Sequence, residues 1–377
     1  MKKVLLMATT AAMIEQFNKN NIIILEKMGY EVHVAGNFDK GNPISDKRLA
    51  SFKKWLEEHN GKWYNIPSTR KPTDINNIKA YKQVVELIKT HKYEFIHCHT
   101  PIGSVIARCA AHKTHTKIIY TAHGFHFYKG APIKNWIIFY PVEKIMSKWT
   151  DDIILICNED YELAKKKFFA KRIHYIPGVG VDLNKITRVN IDIKQKRKEL
   201  NIKEDDIVLL SVGELNDNKN HRIIVEAIAK YNLKVKYLIV GQGYLYNELQ
   251  SMVEKLNIQD RVNILGFRND VIELCKISDI FVFPSKREGL SVALMEAMSC
   301  GLPIICNKIR GNVDLVDNSG GILIGQADCN SYGKAIIELM KNKELRNAMN
   351  QYNSHKMLNY DRNIVDDMMT DIYRNIN

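Results

Sequence analysis

Short apolar runs alternate with stretches of helical spacing along the whole chain. The first series reads KVLLMAT, EVHVA, KWYNI, EFIHCH, KIIYTA, DDIILIC and RIHYI, each five to seven residues long and rich in aliphatic and aromatic side chains. Runs of that length bounded by polar residues predict buried β-strands. After PGVGVDL, where Pro177, Gly178 and Gly180 break the pattern, a second series begins with IVLLSVGE, KYLIVG, VNILG, DIFVFPS and PIICN. Strands alternating with helices predict parallel sheets covered by helices. The expected fold class is α/β, with two Rossmann-like doubly wound domains over residues 1–180 and 181–359. Residues 360–377 form a helically spaced tail. Ligands of such sheets sit at the carboxyl ends of the strands, so a cleft between the domains is the expected site.

At 377 residues the chain suits two domains rather than one core. No apolar run reaches the roughly 18 residues needed to span a bilayer. MKKVLLMATTAAM imitates a signal peptide but also reads as a first strand and turn, the reading preferred here. Seven cysteines, an odd number without C-x2-C spacing, point to reduced thiols in a cytoplasmic protein. The net charge of +13 is uneven. Residues 1–180 hold 28 Lys plus Arg against 16 Asp plus Glu, whereas residues 181–377 hold 27 against 26. A basic half invites nucleic acid, an anionic membrane or an acidic substrate.

The densest candidate chemistry lies in EGLSVALMEAMSCGLP, where seven residues separate Glu288 from Glu296. DIFVFPS predicts a strand and KREGL a loop. Ser291 is an N-cap candidate for a helix from Val292 to Cys300, which ends at Gly301 with Pro303 beyond. Backbone amides of Gly289, Leu290, Ser291 and Val292 at that helix start suit a phosphate. Two carboxylates about one turn apart then suit the hydroxyls of a sugar.

This string resembles the hallmark of glycosyltransferase family 4, retaining enzymes of the GT-B fold. The resemblance implies that Glu288 faces the donor sugar, that Glu296 holds the ribose and that the amides between them bind the diphosphate. SVGELNDNKNH resembles the second donor motif of the family. There Gly213 and Lys219 match, but Glu214 stands where an arginine is usual, so Lys219, helped by Arg222, would have to neutralise the phosphates. Gly241 and Gly243 in VGQGYLYNELQ let backbone approach a ligand. Arg268 and Asn269 in LGFRNDV occupy the base-binding position.

In the first half, IHCHTPIG and IYTAHGFHFYKG place four histidines in two strand-end segments. His123 matches the family histidine set over donor and acceptor. His97 and His99 are expected to face opposite ways, and with His126 to serve structural roles. His112 and His115 lack an acidic or cysteine companion, so zinc is not expected. No D-x-D occurs, so neither a metal nor another cofactor is expected. SDKRLASFKKWLEEH and PIKNWIIFYPVEKIMSKW are two candidate membrane-contact segments.

HTPIGS, TAHGFHFYKGAP and IPGVGVD resemble the capsule and exopolysaccharide branch of the family. This implies transfer from a nucleotide sugar, expected to be a UDP-sugar such as a UDP-N-acetylhexosamine, to a polyprenyl-diphosphate-linked or other surface-glycan acceptor at the cytoplasmic face of the membrane. A nucleotide-sugar epimerase is the alternative enzyme. A basic nucleic-acid-binding protein is the alternative from another class, and no nucleic-acid motif supports it.

Overall fold

The computed structural model describes residues 1–39 and 44–376. The first series of runs becomes β1 (Lys2–Thr10), β2 (Tyr30–Asn37), β3 (Lys62–Asn65), β4 (Phe95–His99), β5 (Lys117–Ala122), β6 (Asp152–Leu155) and β7 (Arg172–Tyr175). All pair in parallel, in the order β3-β2-β1-β4-β5-β6-β7. The second series becomes β8 (Ile207–Val212), β9 (Val235–Val240), β10 (Val262–Gly266), β11 (Ile280–Phe283), β12 (Ile304–Asn307) and β13 (Gly321–Ile324). Its order is β10-β9-β8-β11-β12-β13, again parallel. Central strands covered on both faces read as continuous apolar runs. β1 is buried from Val4 onward and β4 throughout for that reason.

β13 was not among the expected strands. Its four residues sit between Gly320 and Gly325, too short a run to register as a strand without the edge of β12 to pair with.

Strand order reverses once in each sheet, between β1 and β4 in the first and between β8 and β11 in the second. Helices leave the two flanking strands toward opposite faces there, which opens a crevice at the strand ends.

The chain divides into two compact units. One comprises Met1–Val179 with Val365–Asn377, the other Gly180–Ile364. The final helix, Arg362–Arg374, therefore begins in the second unit and continues in the first. Within the first unit its Tyr373 is fully buried, stacks on Phe95 at 5.7 Å and bonds Nδ1 of His97 at 2.8 Å.

The two candidate membrane segments part company. In helix Asp46–Glu58 the apolar stripe Leu49, Phe52 and Leu56 is buried in the protein, so that segment is a sheet-covering helix and its membrane assignment is corrected. Helix Ile133–Ser147 instead leaves Ile133, Ile137, Ile138, Val142 and Ile145 exposed. No helix among the described residues is long and apolar enough to cross a membrane.

Candidate active site

In the second unit the site grows from the ends of β8 and β11. β8 leads into Gly213 and a loop in which the Asn216 side chain accepts from the amide of Lys219 at 3.0 Å. The Lys219 stem then lies over Gly213, where a Cβ would come within 3.0 Å of Cε. Gly213 thus makes room for the lysine. Lys219 Nζ reaches Oε1 of Glu288 at 2.7 Å and hangs 4.6 Å from the Phe283 ring centre. Both side chains are mostly buried, with 18% and 13% exposed.

The loop carrying Glu288 is clamped from two sides. Asn218 O accepts from the Lys286 amide at 2.8 Å, and Asn218 Nδ2 donates to Arg287 O at 3.0 Å. From the β12 side, Asn307 Nδ2 donates to Pro284 O and Ser285 O at 3.0 and 2.9 Å. Arg310, itself 7% exposed, directs Nε and Nη2 at Glu288 O, each at 3.4 Å. Gly311, at φ 80°, lets this backbone pass so close that a Cβ would meet Gly289 O at 1.6 Å. Asn218, Asn307, Arg310 and Gly311 were not singled out in the sequence, since nothing local distinguishes NKIRGN from any polar turn.

Ser291 caps helix Val292–Ser299, accepting from the Leu294 amide at 3.4 Å. The helix ends one residue earlier than expected, with Gly301 at φ 79° just past it. Among the described residues the amides of Gly289, Leu290, Ser291 and Val292 have no backbone acceptor. They belong to the loop that carries Glu288 and to the first residue of the helix after it. The buried hydroxyl of Ser285 is also without a partner.

Other expected donor residues stand apart from this cluster. The Glu296 carboxylate has no hydrogen bond among the described residues, although its backbone carbonyl accepts from the Cys300 amide at 3.1 Å. Burial raises its pKa, while Lys185 and Arg362 pull the other way. The Arg268 guanidinium is committed to Asp270, which also binds Lys196, while Asn269 is exposed. Glu214 is exposed and in no ion pair among the described residues. Arg222 does not help Lys219. It bonds Glu226 at 3.0 Å and Glu248 at 3.3 Å.

Gly241 and Gly243 allow a close backbone approach within the protein. A Cβ at Gly241 would lie 1.8 Å from Gly213 O, and one at Gly243 2.2 Å from Leu215 O. These glycines admit the neighbouring loop of the same unit, seen in Leu215 N to Gln242 O at 2.9 Å. They shape the Lys219 loop from outside.

In the first unit, β4 and β5 end side by side and bring three histidines together. His97 and His99 lie on the same face, with ring centres 4.2 Å apart, because residues two apart in a strand point the same way. This corrects the expectation that they face apart. His97 is held between the hydroxyls of Tyr373 and Thr121, each at 2.8 Å. His99 Nδ1 meets His123 Nε2 at 3.2 Å, while His99 Nε2 is buried without a partner. Burial pushes the His123 pKa down to about 4 and that of His97 to about 3. All three rings are therefore neutral near pH 7. Next to them Thr100 holds φ 64°, a costly conformation for threonine. Its Oγ1 is tied to the Thr9 amide at 2.9 Å and the Thr9 hydroxyl at 2.7 Å. His112 stacks on Trp149 at 4.3 Å. No group of three or more residues positioned to hold a metal occurs among the described residues.

Two strand-reversal crevices, with an acid, a lysine and a helix start at one of them, define a glycosyltransferase of two Rossmann-like domains. Family models agree. Glycosyltransferase Family 4 matches residues 22–185, and Glycosyl transferases group 1 matches residues 192–356. The chain is 35% identical to the Bacillus subtilis protein EpsD, named provisionally as a glycosyltransferase, over 99% of this chain and 96% of that one. It is 33% identical to the Escherichia coli UDP-Gal:alpha-D-GlcNAc-diphosphoundecaprenol alpha-1,3-galactosyltransferase over 76% of each. The crystal structure of Anabaena HepE in complex with UDP and glucose superposes with a TM-score of 0.79 at 18% identity, covering 99% of this chain and all of that one. The glycosyltransferase WaaG, of lipopolysaccharide biosynthesis, gives 0.74 at 16% identity over 99% of both chains. The chain belongs to the family 4 glycosyltransferases.

Proposed function

We propose that the protein transfers a sugar from a UDP-sugar donor, with retention of configuration, to a sugar carried on a polyprenyl diphosphate during surface-glycan synthesis. The observation that carries this reading is the Lys219–Glu288 pair at the strand reversal of the second unit, beside four open amides at a helix start. The diphosphate takes the amides of Gly289 to Val292 and the ammonium of Lys219. Glu288, released from the lysine by the arriving phosphates, accepts from donor-sugar hydroxyls. Glu296 receives the ribose hydroxyls, and the backbone at Arg268 and Asn269 meets the base. Amides plus a buried lysine supply the charge neutralisation that a D-x-D metal would otherwise give, so no cation is required. A neutral His123 donates a hydrogen bond to a sugar hydroxyl. The leaving phosphate takes the acceptor proton, and no side-chain nucleophile is needed. The E. coli relative, whose name states a UDP-galactose donor and a diphosphoundecaprenol-linked acceptor, supports both substrate classes.

Helix Ile133–Ser147 suits peripheral contact with an anionic membrane. Its exposed isoleucines flank Lys134, and Lys144 and Lys148 lie over the exposed ring of Phe169 at 5.5 and 5.3 Å. The protein would then work at the cytoplasmic face.

The test is incubation with a panel of UDP- and GDP-sugars and a synthetic sugar-diphosphoprenol, with products read by mass spectrometry and NMR. An α-linked product from a UDP-sugar is expected. Turnover of donor without acceptor would indicate an epimerase, and transfer from GDP-sugars alone would exclude the UDP assignment.

A further inference from the structure

At the carboxyl ends of β1, β4 and β5 the first unit holds two adjoining cavities. One, of about 280 Å³, is walled by Ile102, Ile106, Phe127, Ile138 and Val142. The other, of about 420 Å³, is walled by Met13, Phe17, Ile102 and Phe139, with Arg70 at its edge. Ile102, Phe139, His126, Pro72 and Pro101 line both, so the two adjoin and together make one trough-like region. Ile138 and Val142 also belong to the exposed face of helix Ile133–Ser147, which opens the trough onto that face.

Polarity along the trough runs one way. The carboxylate of the first cavity, Glu143, is already bonded by Arg108 at 2.9 Å and Tyr120 at 3.2 Å, so that end offers no free charge. In the second, Arg70 is the one Lys, Arg, Asp or Glu side chain among the described lining residues. Arg70 is exposed and in no ion pair among the described residues. It also lines a third, polar cavity with Thr69 and Lys71. The two carboxylates there are partnered, Asp74 by the Asn76 amide at 2.9 Å and Asp39 by Asn65 Nδ2. An apolar channel ending on an open guanidinium fits a ligand with a hydrocarbon tail and an anionic head.

We propose that this trough binds the prenyl diphosphate portion of the acceptor, with isoprene units along Ile138, Ile102 and Phe139 and the diphosphate at Arg70 and Lys71. The assignment rests on the lipid-linked acceptor reading above and adds the place where the lipid sits. A peptide is a poor occupant, because its backbone needs hydrogen-bond partners that the apolar walls lack and that Thr9 and Thr100 spend on each other.

The test is titration of the full chain with geranylgeranyl diphosphate, inorganic diphosphate and phosphatidylglycerol vesicles, with the UDP-induced rise in Tm recorded for every variant as proof of folding. Geranylgeranyl diphosphate should bind at least about 10-fold tighter than inorganic diphosphate. Ile138→Ser and Phe139→Ala should each remove most of that advantage, while Arg70→Gln should weaken both diphosphates. Equal affinity for the two diphosphates, prenyl affinity unchanged in both apolar variants, or binding to vesicles alone would overturn the site. Prenyl binding without sugar transfer would overturn the acceptor reading and leave the site standing; transfer without prenyl binding would do the reverse.

Discussion

Lys219 and Glu288 lie 69 positions apart in the chain and meet at 2.7 Å, each on the loop after one of the two strands that flank the reversal in the second sheet. The ion pair ties the two loops together and holds both mostly buried side chains in one place. Lys219→Met should therefore lower kcat/KM by about 100-fold or more and abolish the UDP-induced rise in Tm. Glu288→Gln should lower kcat by a similar factor and leave UDP binding largely intact. Steady-state kinetics beside thermal shifts separate the two, and a UDP response that survives Lys219→Met would remove the lysine from the phosphate site.

Gly241→Ala and Gly311→Ala each place a methyl group under 2 Å from a carbonyl oxygen of an adjoining loop. Each should cost about 2 kcal/mol or more and weaken UDP binding through displacement of the Lys219 or Glu288 loop. Gly130→Ala is the control, since φ 90° strains it too but no atom lies within 4 Å of the added carbon. Chemical denaturation checks the order. A Gly130 variant as unstable as the other two would mean that backbone strain alone accounts for the loss.

His97, His123 and His221 have pKa values pushed by burial to about 3, about 4 and about 4, below the unfolded value of 6.5. The unfolded chain thus binds protons that the folded chain refuses. Stability from these rings is complete above pH 6.5 and is lost as pH falls from there toward 4 and below. Melting temperatures between pH 7 and 4 should fall steadily, and a flat profile over that range would contradict the buried neutral rings. His99 Nε2 has no partner, and a buried lone pair is tolerated better than a buried N–H. His99 should then donate from Nδ1 and leave His123 protonated at Nδ1, a tautomer that ¹⁵N NMR of the ring nitrogens reads directly.

Ile133, Ile137 and Ile145 are 73%, 68% and 52% exposed on one helix. Replacing the three by serine should leave Tm within about 2 °C and cut sedimentation with anionic vesicles several-fold, since no core contact is lost. Raising salt should weaken binding of the parent protein through Lys134, Lys144 and Lys148. Unchanged vesicle binding in the triple variant would move the membrane contact elsewhere.

The strands of both sheets except β13 were legible in the sequence, the central ones because a strand buried on both faces must be a continuous apolar run and the edge strands β3 and β7 through their short aromatic and aliphatic runs. The helix start at Ser291 was legible for a similar reason: capping, glycine and proline act over a few residues. Motif strings that keep local spacing brought Glu288, Lys219 and His123 forward as candidates. What the sequence could not show was which residues those strings would meet. Arg310 supports Glu288, Arg222 reaches Glu248, and Gly241 serves the Gly213 loop; each depends on segments distant in sequence becoming neighbours. Burial likewise separated the two basic amphipathic helices, since only packing decides whether an apolar stripe is covered. Local chemistry fixes where a strand ends and a helix begins, while the partners of a side chain at that end are set by the order in which the sheet assembles its strands.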